Sequence, residues 1–165
     1  MITNIRHTTL ADIERVMELY QIARNYMRSE GNTEQWVNGY PSKEYILAEM
    51  ENGHSYVCED ENNNIVGTFC LIIGEEPTYK KIYNGKWLNA YPYATLHRIA
   101  SQGGGAGVVK SCFDFSFSKC KNIRVDTHAD NKTMNNAIKK YGFTYCGIIY
   151  IADGTPRLAY QKYIP

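Results

Sequence analysis

The run Gln102-Gly103-Gly104-Gly105-Ala106-Gly107 stands between a β-rich stretch ending near Ala100 and a helical pattern starting at Val108. A turn of this kind gathers free backbone N–H groups at a helix N-terminus, where the helix dipole adds partial positive charge. Glycine leaves room for an anion to reach the backbone. A phosphate or pyrophosphate suits such a place. Tight packing of strand against helix would require the same glycines, so the run alone leaves both readings open. Two phosphate-binding patterns fail letter by letter. A P-loop needs glycine directly before its lysine and Ser/Thr, and here Val109 precedes Lys110-Ser111. A dinucleotide GxGxxG begun at Gly103 meets Val108 in its last position, and begun at Gly105 it meets Lys110. No spacing of His, Cys and carboxylates resembles a metal site. Of the histidines, His7 and His54 have no evident partner in the sequence, and His128 belongs to an Asp-Thr-His-Ala-Asp turn that it is expected to shape.

The elements that position the glycine turn follow from hydrophobic periodicity. Ile2 to His7 reads as a strand. Thr9-Leu10-Ala11-Asp12 fits a capping box, and Leu10, Ile13, Val16, Met17, Tyr20, Ala23 and Met27 then form one apolar stripe on a helix. Glu30-Gly31-Asn32 ends it. Ser42 caps a second helix over Glu44 to Met50. Ser55 to Glu59 and Ile65 to Ile73 form a hairpin around Asp60-Glu61-Asn62-Asn63-Asn64. Glu75 to Ala90 is irregular, Tyr93 to Ala100 a strand, and Val108 to Phe117 a helix. Asn122 to Thr127 is a strand, and Asn131 to Tyr141 a helix with Met134, Ala137, Ile138 and Tyr141 on its apolar face. Thr144 to Ile151 and Arg157 to Tyr163 are a last strand pair. This order predicts an α/β or α+β fold, a mixed sheet of about seven strands with four helices on its faces.

Composition excludes other classes. A length of 165 residues without repeats or linkers predicts a single domain over 1–165. Eighteen basic against seventeen acidic side chains leave no basic excess, so no nucleic-acid partner is expected. No apolar run reaches the length of a membrane span, and the first residues lack the apolar core of a signal peptide. Cys58, Cys70, Cys112, Cys120 and Cys146 are odd in number and lack CxxC spacing. They read as reduced thiols of a cytoplasmic protein, mostly buried as small hydrophobes.

A third glycine pattern does fit. Gln102, Gly105 and Gly107 match (Gln/Arg)-x-x-Gly-x-(Gly/Ala), and Asp126 to Asn131, Met134 and Gly142-Phe143 follow at the expected distance. With the Thr9 helix, these segments resemble the GNAT superfamily of acyl-CoA-dependent N-acetyltransferases over nearly the whole chain. The resemblance implies a mostly antiparallel, twisted sheet with splayed central strands. It implies transfer of an acetyl group from acetyl-CoA to a primary amine, with no metal, by direct attack on the thioester. Gln102, Gly103, Gly104, Gly105, Ala106, Gly107 and Val108 would cradle the CoA pyrophosphate. The strand before them would pair with the pantetheine amides. The amide of Ile99, or of Arg98 or Ala100, would face the thioester carbonyl. Asn131 would bond the cofactor arm, although asparagine there also serves as a helix cap. His97, two residues before Ile99 on that strand, is the candidate general base, with a structural histidine as the other reading. Trp36, Tyr40, Trp87 and Tyr93 are candidates for the acceptor side, or else loop anchors. Many family members carry a tyrosine where Ile138 stands, so the usual acid for the leaving thiolate is missing. A non-catalytic acyl-CoA-binding module is therefore the competing reading. A small-molecule amine acceptor and a homodimer complete the expectation.

Overall fold

Thr9 turns the chain from strand into helix by a reciprocal pair of bonds. The Asp12 amide donates to the Thr9 carbonyl (3.0 Å), and the Thr9 amide donates to Asp12 Oδ2 (2.7 Å). The same carboxylate accepts two bonds from Arg6 of the preceding strand, at 2.7 and 3.1 Å. These bonds hold the Asp12 acid below its ordinary range, chiefly through the Arg6 guanidinium. The entry to the first helix is thus fixed against the sheet before any apolar packing is counted.

The computed structural model describes residues 1–103 and 106–165, without the side chain of residue 106. The strands are β1 (Ile2–His7), β2 (Ser55–Asp60), β3 (Ile65–Ile73), β4 (Ala94–Ser101), β5 (Asn122–Thr127), β6 (Thr144–Tyr150) and β7 (Pro156–Tyr163). The helices are α1 (Ile13–Ser29), α2 (Lys43–Glu51), α3 (Ala106–Lys119) and α4 (Lys132–Tyr141). The sheet is mixed, with strand order β1-β2-β3-β4-β5-β7-β6. Among the described residues no helix is long and apolar enough to cross a membrane.

The chain forms two compact units. The first comprises 1–71 and 97–115, the second 72–96 and 116–165. In the first, β1–β2 and β2–β3 pair antiparallel. Its core joins Ile13, Val16, Leu19 and Tyr20 of α1 to Ile46 of α2, Val57 of β2 and Ala100 of β4. The predicted apolar stripe departs at one end. Leu10 is 73% exposed, because it lies in a tight 3-10 turn (Leu10–Asp12) and is out of phase with the helix that follows. Leu19, outside the stripe read from spacing, is fully buried. Gly67 of β3 explains how α3 sits. A β-carbon there would lie 2.6 Å from Val108 Cγ1, so the first turn of α3 rests directly on the strand backbone. The helix begins at Ala106, two residues ahead of the start read from hydrophobic spacing.

In the second unit, β4 pairs parallel with β5 at Ala94–Ile123 and Thr95–Arg124. The β5–β7 and β6–β7 pairs are antiparallel. Asn131 caps α4 through a bond from the Met134 amide (3.1 Å), and Ile138 is buried beneath that helix. Tyr160 donates to Asn135 Oδ1 at 2.6 Å, tying α4 to β7. The irregular segment before β4 is ordered by the sheet edge. Tyr83 exchanges two backbone bonds with Ile148 of β6, each 2.8 Å, and a β-carbon on Gly85 would fall 1.9 Å from the Cys146 carbonyl oxygen. Four of the five cysteines are buried and all are free thiols.

Asp12 yields a test of the first helix entry. Its folded-state acid is stronger than in the unfolded chain, so its stabilisation is present above the ordinary carboxylate range and is lost as pH falls through the folded value. Asp12→Asn is expected to cost about 1–2 kcal/mol at neutral pH. It should also shrink the loss of stability on acidification, read as urea midpoints across the acid limb.

Candidate functional site

Strand β4 carries one left-handed residue near its centre. Arg98 takes φ +55°, a left-handed conformation that a residue with a β-carbon rarely adopts inside a strand. His97 and Ile99, both half-buried, flank it. The alternation that would place His97 and Ile99 on one side assumes extended backbone between them, which Arg98 does not supply.

Three elements hold the Arg98 residue. Its guanidinium donates to the Tyr40 hydroxyl (2.8 Å) and forms an ion pair with Glu49 of α2. The guanidinium carbon lies 4.7 Å from the centre of the Tyr45 ring. From α1, the Tyr20 hydroxyl donates to the Arg98 carbonyl at 3.1 Å. The Arg98 side chain is only 6% exposed. Burial pulls its acidity one way, but Cys70, Tyr40 and Tyr45 around it hold it firmly protonated. Burial pushes the Tyr40 hydroxyl up to about 12, so it stays neutral and can accept from Arg98. The other oxygen of Glu49 lies 3.3 Å from His54 Nδ1, which supplies the partner that the sequence left unseen for this histidine. His7 stacks on Tyr56 with ring centres 4.4 Å apart. Trp36 packs edge-on against Tyr20, and its carbonyl accepts from Arg28.

Past β4 the chain enters the glycine turn. The Gln102 amide donates to the Val66 carbonyl (3.1 Å), and its side-chain oxygen accepts from Arg15 (2.7 Å). Gly103 takes φ +99°. Gly104 and Gly105 lie outside the described residues, as does the side chain of Ala106. At Gly107 a β-carbon would meet nothing within 4 Å among the described residues. That turn contains no acidic residue. Helix starts usually recruit acids to meet the dipole. Here the positive end is left uncompensated by α3 itself, with room at the Gly107 β-position and Arg15 on the flanking glutamine. These features fit a diphosphate.

The second unit places the remaining candidates otherwise. Trp87 and Tyr93 sandwich the Arg124 guanidinium, with ring centres at 4.1 and 4.0 Å. The indole N–H of Trp87 donates to the Tyr79 carbonyl (3.0 Å), and the Tyr93 hydroxyl accepts from the Glu76 amide (2.8 Å). Both aromatics anchor the irregular segment. Asn131 spends its carbonyl oxygen on the cap of α4. Tyr141 stacks on Phe117 at 5.8 Å. His128 Nδ1 accepts from the Asp130 amide (3.0 Å), so it shapes its turn as expected. Among the described residues no group of His, Cys, Asp or Glu could hold a metal ion. Sequence reasoning passed over Glu49, Tyr45 and Tyr20, because neither spacing nor residue type signals contacts that bridge such separations.

A model of the acetyltransferase (GNAT) family matches residues 15–143. No curated protein matches the chain in sequence. Among solved structures, a GNAT-family acetyltransferase from Streptococcus agalactiae 2603 is 34% identical, with a TM-score of 0.90 over 98% of this chain and 95% of that one. A GNAT-family acetyltransferase from Listeria monocytogenes 4b F2365 is 20% identical, with a TM-score of 0.72 over 98% and 94%. One from Bacillus cereus ATCC 10987 is 15% identical, with a TM-score of 0.62 over 98% of each chain. The two more distant structures share the fold, and the family match spans most of the chain, from inside α1 past the end of α4. With a family match over residues 15–143 and a seven-stranded mixed sheet with four helices, the chain belongs to the GNAT family of acetyltransferases.

Proposed function

We propose that this protein transfers an acetyl group from acetyl-CoA to the nitrogen of a small primary amine. The observation that carries the donor assignment is the start of α3: free of acid, with room for a β-carbon at Gly107 among the described residues, and seated on the backbone of β3 through Val108 and Gly67. Acetyl-CoA supplies an activated thioester, which a neutral amine attacks without a metal. The backbone N–H groups from Gln102 through Val108, including those of Gly103, Gly104, Gly105, Ala106 and Gly107, bind its diphosphate. Backbone groups of β4 around Arg98, Ile99 and Ala100 pair with the pantetheine amides as an added strand.

The chemistry at the carbonyl requires a donor for the oxygen that gains charge. The Ile99 amide takes that part, since it follows the left-handed Arg98 and is turned relative to a regular ladder. A fixed donor of this kind contributes about 3 kcal/mol to lowering a barrier. His97 accepts the proton that the amine loses as the new C–N bond forms. The C–S bond breaks, and the thiolate, a good leaving group, takes its proton from water. Ile138 is buried and has no proton to give, so no side chain at that position takes part. Trp36 and Tyr40, beside β4 in the first unit, line the acceptor side, and Asn131 keeps its capping role. The reaction runs in the cytoplasm, where the five thiols stay reduced.

Gly107→Glu should abolish CoA binding in a folded protein, because it sets a like charge over the diphosphate. Isothermal calorimetry with CoA checks this, and unchanged affinity would remove the turn from the site. Gly67→Ala should push Val108 away and weaken CoA binding as well, at a stability cost of about 1–3 kcal/mol. His97→Ala should lower turnover with a panel of primary amines more than it lowers CoA affinity. Tight CoA binding with no amine-dependent thiol release would instead mark a binding module.

A further inference from the structure

Arg98 stands in a conformation that its own side chain disfavours. Among the described residues, the other non-glycine positions with positive φ are Trp36, Asn38, Asn63 and Asn84, all outside strands. Three of those are asparagines, which tolerate this region. Arginine has no such tolerance, and a strained residue persists only where its surroundings over-determine it. Two independent contacts do so. Tyr20 of α1 bonds the Arg98 carbonyl, which restrains the peptide plane itself. Glu49 of α2 pairs with the guanidinium, which is also bonded to Tyr40 and covered by Tyr45. Glu49 is itself steadied from its other side by His54. The supporting residues are fixed in turn: Tyr20 and Ile46 are fully buried in one core, joining α1 to α2 behind the strand.

We propose that Glu49 and Tyr20 are positioning residues for acetyl transfer. They act through Arg98, holding it left-handed so that the following peptide, Ile99 N–H included, is turned out of the regular ladder. This rests on the function proposed above, in which that peptide meets the reacting carbonyl. A side chain that serves the reaction this way needs no contact with either substrate.

The test separates the side chain of Arg98 from its backbone conformation. Arg98→Ala and Arg98→Gly both delete the ion pair, but only glycine adopts φ +55° freely. Arg98→Ala should lower kcat on the order of 10²-fold, the scale of an ångström's misplacement, with KM for acetyl-CoA changed little. Arg98→Gly should lose markedly less than Arg98→Ala at comparable thermal stability. Glu49→Gln should lower kcat in the parent and cost nothing further in the Arg98→Gly background, where its partner guanidinium is already gone, if it acts only through Arg98. Equal loss in the alanine and glycine variants, or an undiminished Glu49→Gln effect on Arg98→Gly, overturns the proposal. A second readout needs no turnover. The three-bond HN–Hα coupling of Arg98, measured by NMR, should move to the extended-strand value in Glu49→Gln and in Tyr20→Phe. An unmoved coupling in both variants also overturns it. If Arg98→Ala is recovered unfolded, that coupling decides. Failure of CoA to bind the unaltered protein would count against the proposed function and would leave the coupling result standing by itself.

Discussion

A buried guanidinium has to be matched, and in the first unit Glu49, Tyr40 and Tyr45 gather around the one on Arg98. Moving such a charge out of water costs several kcal/mol unless a counter-charge and hydrogen bonds replace the lost hydration. Glu49 supplies the charge, the Tyr40 hydroxyl accepts a bond, and the Tyr45 face lies against the plane. Deleting one partner of such a pair typically costs about 3–5 kcal/mol, so these contacts also fix where α2 sits. The ion pair is weak evidence for net stability. Its consequence is geometric: it decides the path of β4 just before the glycine turn, and so the direction from which that turn is reached.

In the function proposed here, anion binding is left to the backbone. The start of α3 bears no acid, Gln102 is neutral and is held by Arg15, and Arg15 also bonds the Ile65 carbonyl at 2.9 Å. A diphosphate recognised through peptide N–H groups needs space more than it needs lysines, so the proposed donor is compatible with a formal charge of only +1. The contact of Val108 on Gly67 belongs to the same logic. It seats the helix so that its first amides are placed by packing.

Much of this architecture was legible in the residues. Thr9 with Asp12, Ser42, and Asn131 each announced a helix start, because capping is a local bond between residues a few positions apart. The hairpin around Asp60 was legible for the same reason, since Asp60 accepts from the Asn62 and Asn64 amides. Leu10 misled because helical phase was read through a turn of different pitch. The left-handed Arg98 was not legible: His97-Arg98-Ile99 contains neither glycine nor asparagine, and the residue is held by Tyr20 and Glu49, each far away along the chain. Trp87 and Tyr93 stay open between the acceptor side and loop anchoring in the sequence because a ring that can receive a cationic substrate can equally receive Arg124. Residue type does not distinguish the two.

The segment laid along β6 bears on how copies of this molecule could meet. In the sheet order β6 is terminal, and a terminal strand offers unpaired amides and carbonyls to any passing chain. Tyr83 already occupies both polar groups of Ile148, and Gly85 presses against the Cys146 carbonyl. The middle of this border is therefore closed to templated strand addition by the protein's own polypeptide. Self-association on that flank would have to proceed through side chains such as Tyr145 and Tyr150, which stand outward, rather than by extending the hydrogen-bonded ladder.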